Sequence, residues 1–83
     1  MTDQSYIYGI NTILDTLKYD PDLFIEIYMK ENSDNKRFME IIFLATEKNI
    51  PIRKIPKSKL DKLASTAKNQ GLAALIKHKD KYD

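Results

Sequence analysis

Three apolar stripes at helical spacing, separated by short runs suited to strands, restrict this chain more than any other feature. Ile10, Ile13, Leu14 and Leu17 fall at i, i+3, i+4 and i+7, which puts them on one helix face. Phe38, Ile41, Ile42 and Ala45 repeat the spacing, as do Leu60, Leu63, Ala64 and Ala67. Between the stripes, residues 6–9, 23–29, 50–55 and 72–76 are β-branched, aromatic or continuously apolar and read as strands. The alternation predicts an α/β layered domain of about four short strands and three helices, with a largely parallel sheet and crossover helices.

Local signals set the boundaries. Pro21 pushes Asp20 out of the helical region and closes the first helix. The second helix is expected over residues 35–48, with Ser33 or Asp34 as its cap. Met39, Phe43 and Leu44 widen its stripe, so that helix is expected to be well covered. Asn49 suits a left-handed turn at its end. Pro51 has no N–H for a ladder, which favours an edge position or a strand start. Ser58 with Asp61 resembles a capping box for the third helix. Asn69-Gln70-Gly71 is a turn, and residues 77–83 form a charged, frayed tail.

With 83 residues there is room for one small domain, and for no catalytic domain with its own cofactor pocket beside it. The absence of cysteine excludes disulfides, cysteine nucleophiles and thiolate metal sites. A single histidine, His78, flanked by Lys77 and Lys79, reads as a solvated tail residue. Neither glycine belongs to a phosphate loop or dinucleotide fingerprint, and Ser5, Ser33, Ser58 and Ser65 lack a convincing base. Asp15, Asp20, Asp22 and Glu26 are better explained by turns and helix ends than by acid–base work. Catalysis by this chain alone is not expected, and neither a metal nor a cofactor site is assigned to it. No apolar run spans a bilayer and no signal peptide opens the chain, so the cytoplasm is the expected compartment.

The formal charge of +2 conceals an asymmetry. Residues 1–47 carry four basic and nine acidic side chains, whereas residues 48–83 carry ten basic and three acidic ones. Such a basic half suits phosphate neutralisation, although a solvated lysine-rich surface has the same composition. The loop Lys30-Glu31-Asn32-Ser33-Asp34-Asn35-Lys36-Arg37 joins a strand to a helix start, a junction where α/β sheets usually bind ligands and where free N–H groups suit phosphate. Helix capping by residues 32–35 is the plainer alternative. Asn69 and Gln70 offer amides able to donate and accept, as base or ribose recognition requires. Tyr6 and Tyr8 offer either sheet-edge packing or a stacking face for an unpaired base.

The segments YIYGINTILDTLK, IEIYMKENSDNKRFMEIIFLATEKNIPIRKIPKSKLDKLA and NQGLAALI together resemble the N-terminal RNA-substrate-binding domain of SpoU-family (TrmH-type) RNA ribose 2′-O-methyltransferases. Tyr8-Gly9, Asn35-Lys36-Arg37 and Gln70-Gly71 carry the likeness, in the family's order and spacing. Each is weak alone, and together they cover about residues 5–76. Asn69 stands where the family has a histidine, keeping a hydrogen-bonding side chain without a titratable ring. The resemblance implies a fold like that of the ribosomal kink-turn-binding proteins. It also implies a separate knotted catalytic domain that binds S-adenosylmethionine and methylates ribose in rRNA or tRNA.

The chain is therefore read as a single RNA-substrate-binding domain over 1–83, its core at about 5–76 and a linker to an absent catalytic domain starting at 77–83. Lys30, Asn32, Lys36, Arg37, Arg53, Lys54, Asn69 and Gln70 are its expected RNA-binding residues, with Lys57 and Lys59 widening the electrostatic footprint. Structured RNA and the linked catalytic domain are the expected partners; neither a membrane nor DNA is. A protein-interaction or dimer-packing domain without RNA contact is the alternative.

Overall fold

The computed structural model describes residues 4–31 and 35–77. Strands β1 (Gln4–Tyr8), β2 (Phe24–Lys30), β3 (Ile52–Ile55) and β4 (Leu72–Lys77) alternate with helices α1 (Ile10–Tyr19), α2 (Lys36–Glu47) and α3 (Lys57–Ala64). A 3-10 turn, Pro21–Leu23, leads into β2. The first two apolar stripes lie wholly within α1 and α2; of the third, Leu60, Leu63 and Ala64 lie in α3, whereas Ala67 falls beyond its left-handed end at Ser65 and is exposed. Of the frayed tail expected at 77–83, Lys77 instead ends β4 opposite Gln4, and residues 78–83 lie outside the described residues, as do the proposed caps Ser33 and Asp34; Asn35 caps α2 by accepting from the Arg37 N–H at 2.8 Å.

One sheet of order β1-β4-β2-β3 forms the middle layer. Ile27, Met29, Leu72 and Ala74 point to one face and pack with Ile13, Leu17, Phe38 and Ile41 of α1 and α2. Ala73, Tyr28 and Ile55 point to the other and meet Leu60 and Ala64 of α3. β4 is central, with helices on both sides, which explains its unbroken apolar run. Its alanines let both helical layers approach closely. The register shift between Phe24 and Glu26 puts Phe24 and Ile27 into the same core despite their odd spacing.

The sheet is mixed, not largely parallel. β1, β2 and β3 run the same way, but only β2 and β3 pair in parallel, because the reversed β4 lies between β1 and β2 and is antiparallel to both. Alternation of strands and helices fixes layers but leaves direction to the connections. Here α3 has eight residues, and left-handed Ser65, Gln70 and Gly71 (φ 61, 59 and 77°) return the chain to the rim where β3 ended. β4 therefore starts beside the carboxyl ends of β1, β2 and β3. The edge position expected for β3 from Pro51, and the left-handed Asn49 (φ 60°), are both present.

Candidate nucleic-acid interface

The rim formed by these three carboxyl ends and the start of β4 gathers several of the expected binding residues. Gly9 (φ 95°) follows β1, donates its N–H to Leu72 O at 3.1 Å and opens α1. It carries no side chain to cap the helix. Gln70, sixty residues away, supplies the cap instead: its Oε1 accepts from the Ile10 N–H at 2.7 Å. One residue further along α1, Asn11 Oδ1 accepts from Arg37 Nη1 at 2.8 Å. Arg37 and Gln70 thus attach to consecutive residues of α1, one from the start of α2 and one from the turn before β4.

Lys30 joins them from the end of β2. Its N–H donates to Gly71 O at 3.0 Å, and its aliphatic stem lies over Gly71, where a Cβ would sit 2.9 Å from Lys30 Cδ. That close pass, together with φ 77°, explains a glycine at this position. Lys54 and Lys30 border a groove with Met29, Asn35, Phe38 and Met39. Lys36, at the first turn of α2, is exposed. Four cations, Lys30, Lys36, Arg37 and Lys54, therefore lie about the same end of the sheet.

Two expected contacts, Arg53 and Asn69, fall elsewhere, and a third, Asn32, lies outside the described residues. Arg53 alternates with Lys54 along β3 and faces the α3 side, where it pairs with Glu26. Asn69 is fully buried. Its Nδ2 donates to Asp61 Oδ1 and Thr66 O, each at 2.8 Å, and its Oδ1 accepts from the Gly71 N–H at 2.8 Å. All three of its polar positions are engaged, so it shapes the turn that presents Gln70 and offers nothing outward.

The α3 side has its own electrostatics. Lys57 pairs with Asp61, so the expected capping of the helix by Ser58 and Asp61 does not form; Pro56 occupies the cap position. The hydrogen bonds from Lys57 and then Asn69 hold the Asp61 carboxyl below its ordinary value of 3.8. Tyr28 donates its hydroxyl to Glu26 Oε1 at 2.8 Å. Burial first, and then this bond to a carboxylate, push its pKa up to about 12. Arg53, Lys59 and Lys62 border a second groove with Tyr28, Ile55 and Leu63.

Sequence reasoning missed two features. The capping role of Gln70 links residues distant in sequence, and only the bare Gly9 at a helix start hinted at it. On α2, Met39 and Phe43 remain 67% and 61% exposed, against the expectation of a well-covered helix. Phe38, Ile41 and Ala45 are buried in its core face, and Ile42 and Leu44 pack partly buried against the core beside them. Among the described residues no helix is long and apolar enough to cross a membrane, and no cluster of three His, Asp or Glu forms a metal site.

A family model described as RNA 2′-O ribose methyltransferase substrate binding matches residues 6–82. A 23S rRNA (guanosine-2′-O-)-methyltransferase RlmB from Pectobacterium atrosepticum is 33% identical over 76 residues, covering 92% of this chain and 31% of that protein. The putative TrmH family tRNA/rRNA methyltransferase YacO of Bacillus subtilis is 34% identical over 71 residues, or 86% and 28% of the two chains. The RlmB of Nitrosomonas europaea is 29% identical over 82 residues, 99% of this chain and 32% of the other. The chain spans about a third of the length of the curated relatives it matches.

Proposed function

Because the chain belongs to the substrate-binding family of SpoU-type RNA ribose 2′-O-methyltransferases, we propose that its rim grips structured ribosomal RNA for a catalytic domain that modifies it. The observation that carries this reading is the convergence of Arg37 and Gln70 on Asn11 and Ile10. Lys30, Lys36, Arg37 and Lys54 supply phosphate contacts, and the Arg37 guanidinium has donors to spare for a phosphate or base edge. Gln70 and Asn11 supply amides beside them. Asn69 holds the turn, while Arg53, Lys57 and Lys59 add attraction without a contact to the RNA held at the rim.

The catalytic domain is covalently linked in this reading, with the linker opening after Lys77, and the setting is cytoplasmic. S-adenosylmethionine belongs to that other domain. Both grooves described above are bordered by lysines, which repel the cationic sulfonium of that cofactor, so this chain's residues do not fit it.

Titrating the chain with hairpins of 23S rRNA tests the proposal. Four neutralised phosphates give a slope of log affinity against log salt of roughly −3.6. Arg37→Ala is expected to weaken binding with circular dichroism unchanged. A salt-independent affinity, or one indifferent to Arg37, refutes the phosphate grip. Exposed Met39 and Phe43, one turn apart on α2, favour a second reading as a protein contact. In that case Met39→Ser with Phe43→Ser abolishes association with a methyltransferase domain and leaves RNA affinity untouched.

A further inference from the structure

The sheet face next to the rim carries an aromatic row for which the phosphate grip has no use. Tyr6 and Tyr8 alternate on edge strand β1 and are 41% and 43% exposed. Registers across the sheet align Tyr8 with Ala73, Ala73 with Tyr28, and Tyr28 with Arg53. One step down, Tyr6 lies opposite Leu75, and its ring centroid is 6.2 Å from that of Tyr28 at 50°. The short α3 settles on Ala73 through Leu60 and Ala64, and the rings on β1 keep much of their surface in water.

Among the described residues the charge around this row is mainly positive, Glu26 being the carboxylate in the groove. Lys77 shares the face by alternation with Ala73 and Leu75 and is exposed. Lys59 and Lys62 flank Tyr28 across the groove. The carboxylate there, Glu26, is already engaged by the Tyr28 hydroxyl and by Arg53. Tyrosines on a sheet, bordered by lysines, match what unpaired bases and their phosphates require: flat rings for stacking and cations for the backbone. Continuity supports the same occupant. Tyr8 is bonded directly to Gly9, so a strand leaving the Gln70 and Arg37 end meets the Tyr8 ring first.

We propose that the Tyr8–Tyr6 face stacks unpaired nucleotides flanking the folded RNA element held at the rim. The inference rests on the proposed function and specifies the substrate further: a helical element continued by a single strand.

Fluorescence anisotropy with the whole chain tests it, comparing a blunt RNA hairpin with the same hairpin bearing a four-nucleotide single-stranded extension. The extension is expected to tighten binding by roughly ten-fold, within the range of base–aromatic stacking. Combining Tyr6→Leu with Tyr8→Leu removes that gain and leaves blunt-hairpin affinity unchanged, while the matching Phe variants keep it. Circular dichroism checks that the variants fold. A blunt hairpin that does not bind contradicts the rim reading. A bound hairpin whose extension adds nothing, or whose gain survives the leucine variants, overturns the stacking proposal alone. Leucine variants that instead shift the sedimentation of the chain also overturn it and mark the face as a protein contact.

Discussion

Asn69 illustrates how a single side chain decides what its neighbours present. Its three hydrogen bonds tie the turn to α3 and hold Gly71 in the left-handed conformation that aims Gln70 at α1. Asn69→Ala strands the buried Gly71 N–H and is expected to cost about 1–3 kcal/mol in urea denaturation. A neutral histidine has one donor and one acceptor where asparagine has two donors and an acceptor. Asn69→His therefore keeps two of the three bonds and should fall between wild type and Asn69→Ala; a histidine variant as unstable as the alanine one would contradict this bonding scheme. Gly71→Ala is expected to cost about 1–2 kcal/mol from its positive φ, and to weaken RNA binding by displacing the Lys30 stem; unchanged affinity would detach Lys30 from the grip. The turn itself was legible from Asn-Gln-Gly. The inward direction of Asn69 was not, because it depends on Asp61, a partner on another element.

At the scale of elements, α3 is seated on the sheet by Leu60 and Ala64 and tied to the turn before β4 by Asp61, which accepts from Lys57 within the helix and from Asn69 beyond it. Its folded pKa lies below the ordinary 3.8. The stabilisation from the ionised carboxylate is complete above 3.8 and is lost as pH falls through the lowered folded value. Urea midpoints of wild type and Asp61→Asn should differ by a constant amount near neutrality and converge in strong acid. A difference that does not vary with pH would contradict the pairing. The stripes at helical spacing predicted all three helices because amphipathic periodicity is local information. Two errors share one cause. The direction of β4 and the exposure of Met39 and Phe43 depend on how elements pack against each other, which spacing within an element does not encode. The Ser58–Asp61 reading failed for a different reason: Pro56 had already set the helix start, leaving Asp61 available to Lys57 and Asn69.

Across the whole molecule, the fold converts residues scattered over the sequence into one end with a purpose. β1, β2 and β3 finish there and β4 begins there, so Gly9, Lys30, Arg37, Lys54 and Gln70 come to lie along one rim although 61 positions separate Gly9 from Gln70. The charge asymmetry between the two halves was visible in the sequence, but not how the charge of the second half divides between the two faces of the sheet. Arg53 and Lys54 are adjacent in β3 and project to opposite faces, because a strand alternates its side chains. Tyr8-Gly9, Asn35-Lys36-Arg37 and Gln70-Gly71 carried the resemblance to the family, and the fold brings all three motifs to the rim.

Amide chemical-shift mapping by NMR, with the chain titrated by a 23S rRNA hairpin, tests the grip most directly. The resonances of Gly9, Ile10, Asn11, Lys30, Arg37, Gln70 and Gly71 should move together and saturate together. Shifts centred instead on Tyr19, Asp20, Lys48 and Asn49, at the opposite end of the helices, with a silent rim, would contradict the account.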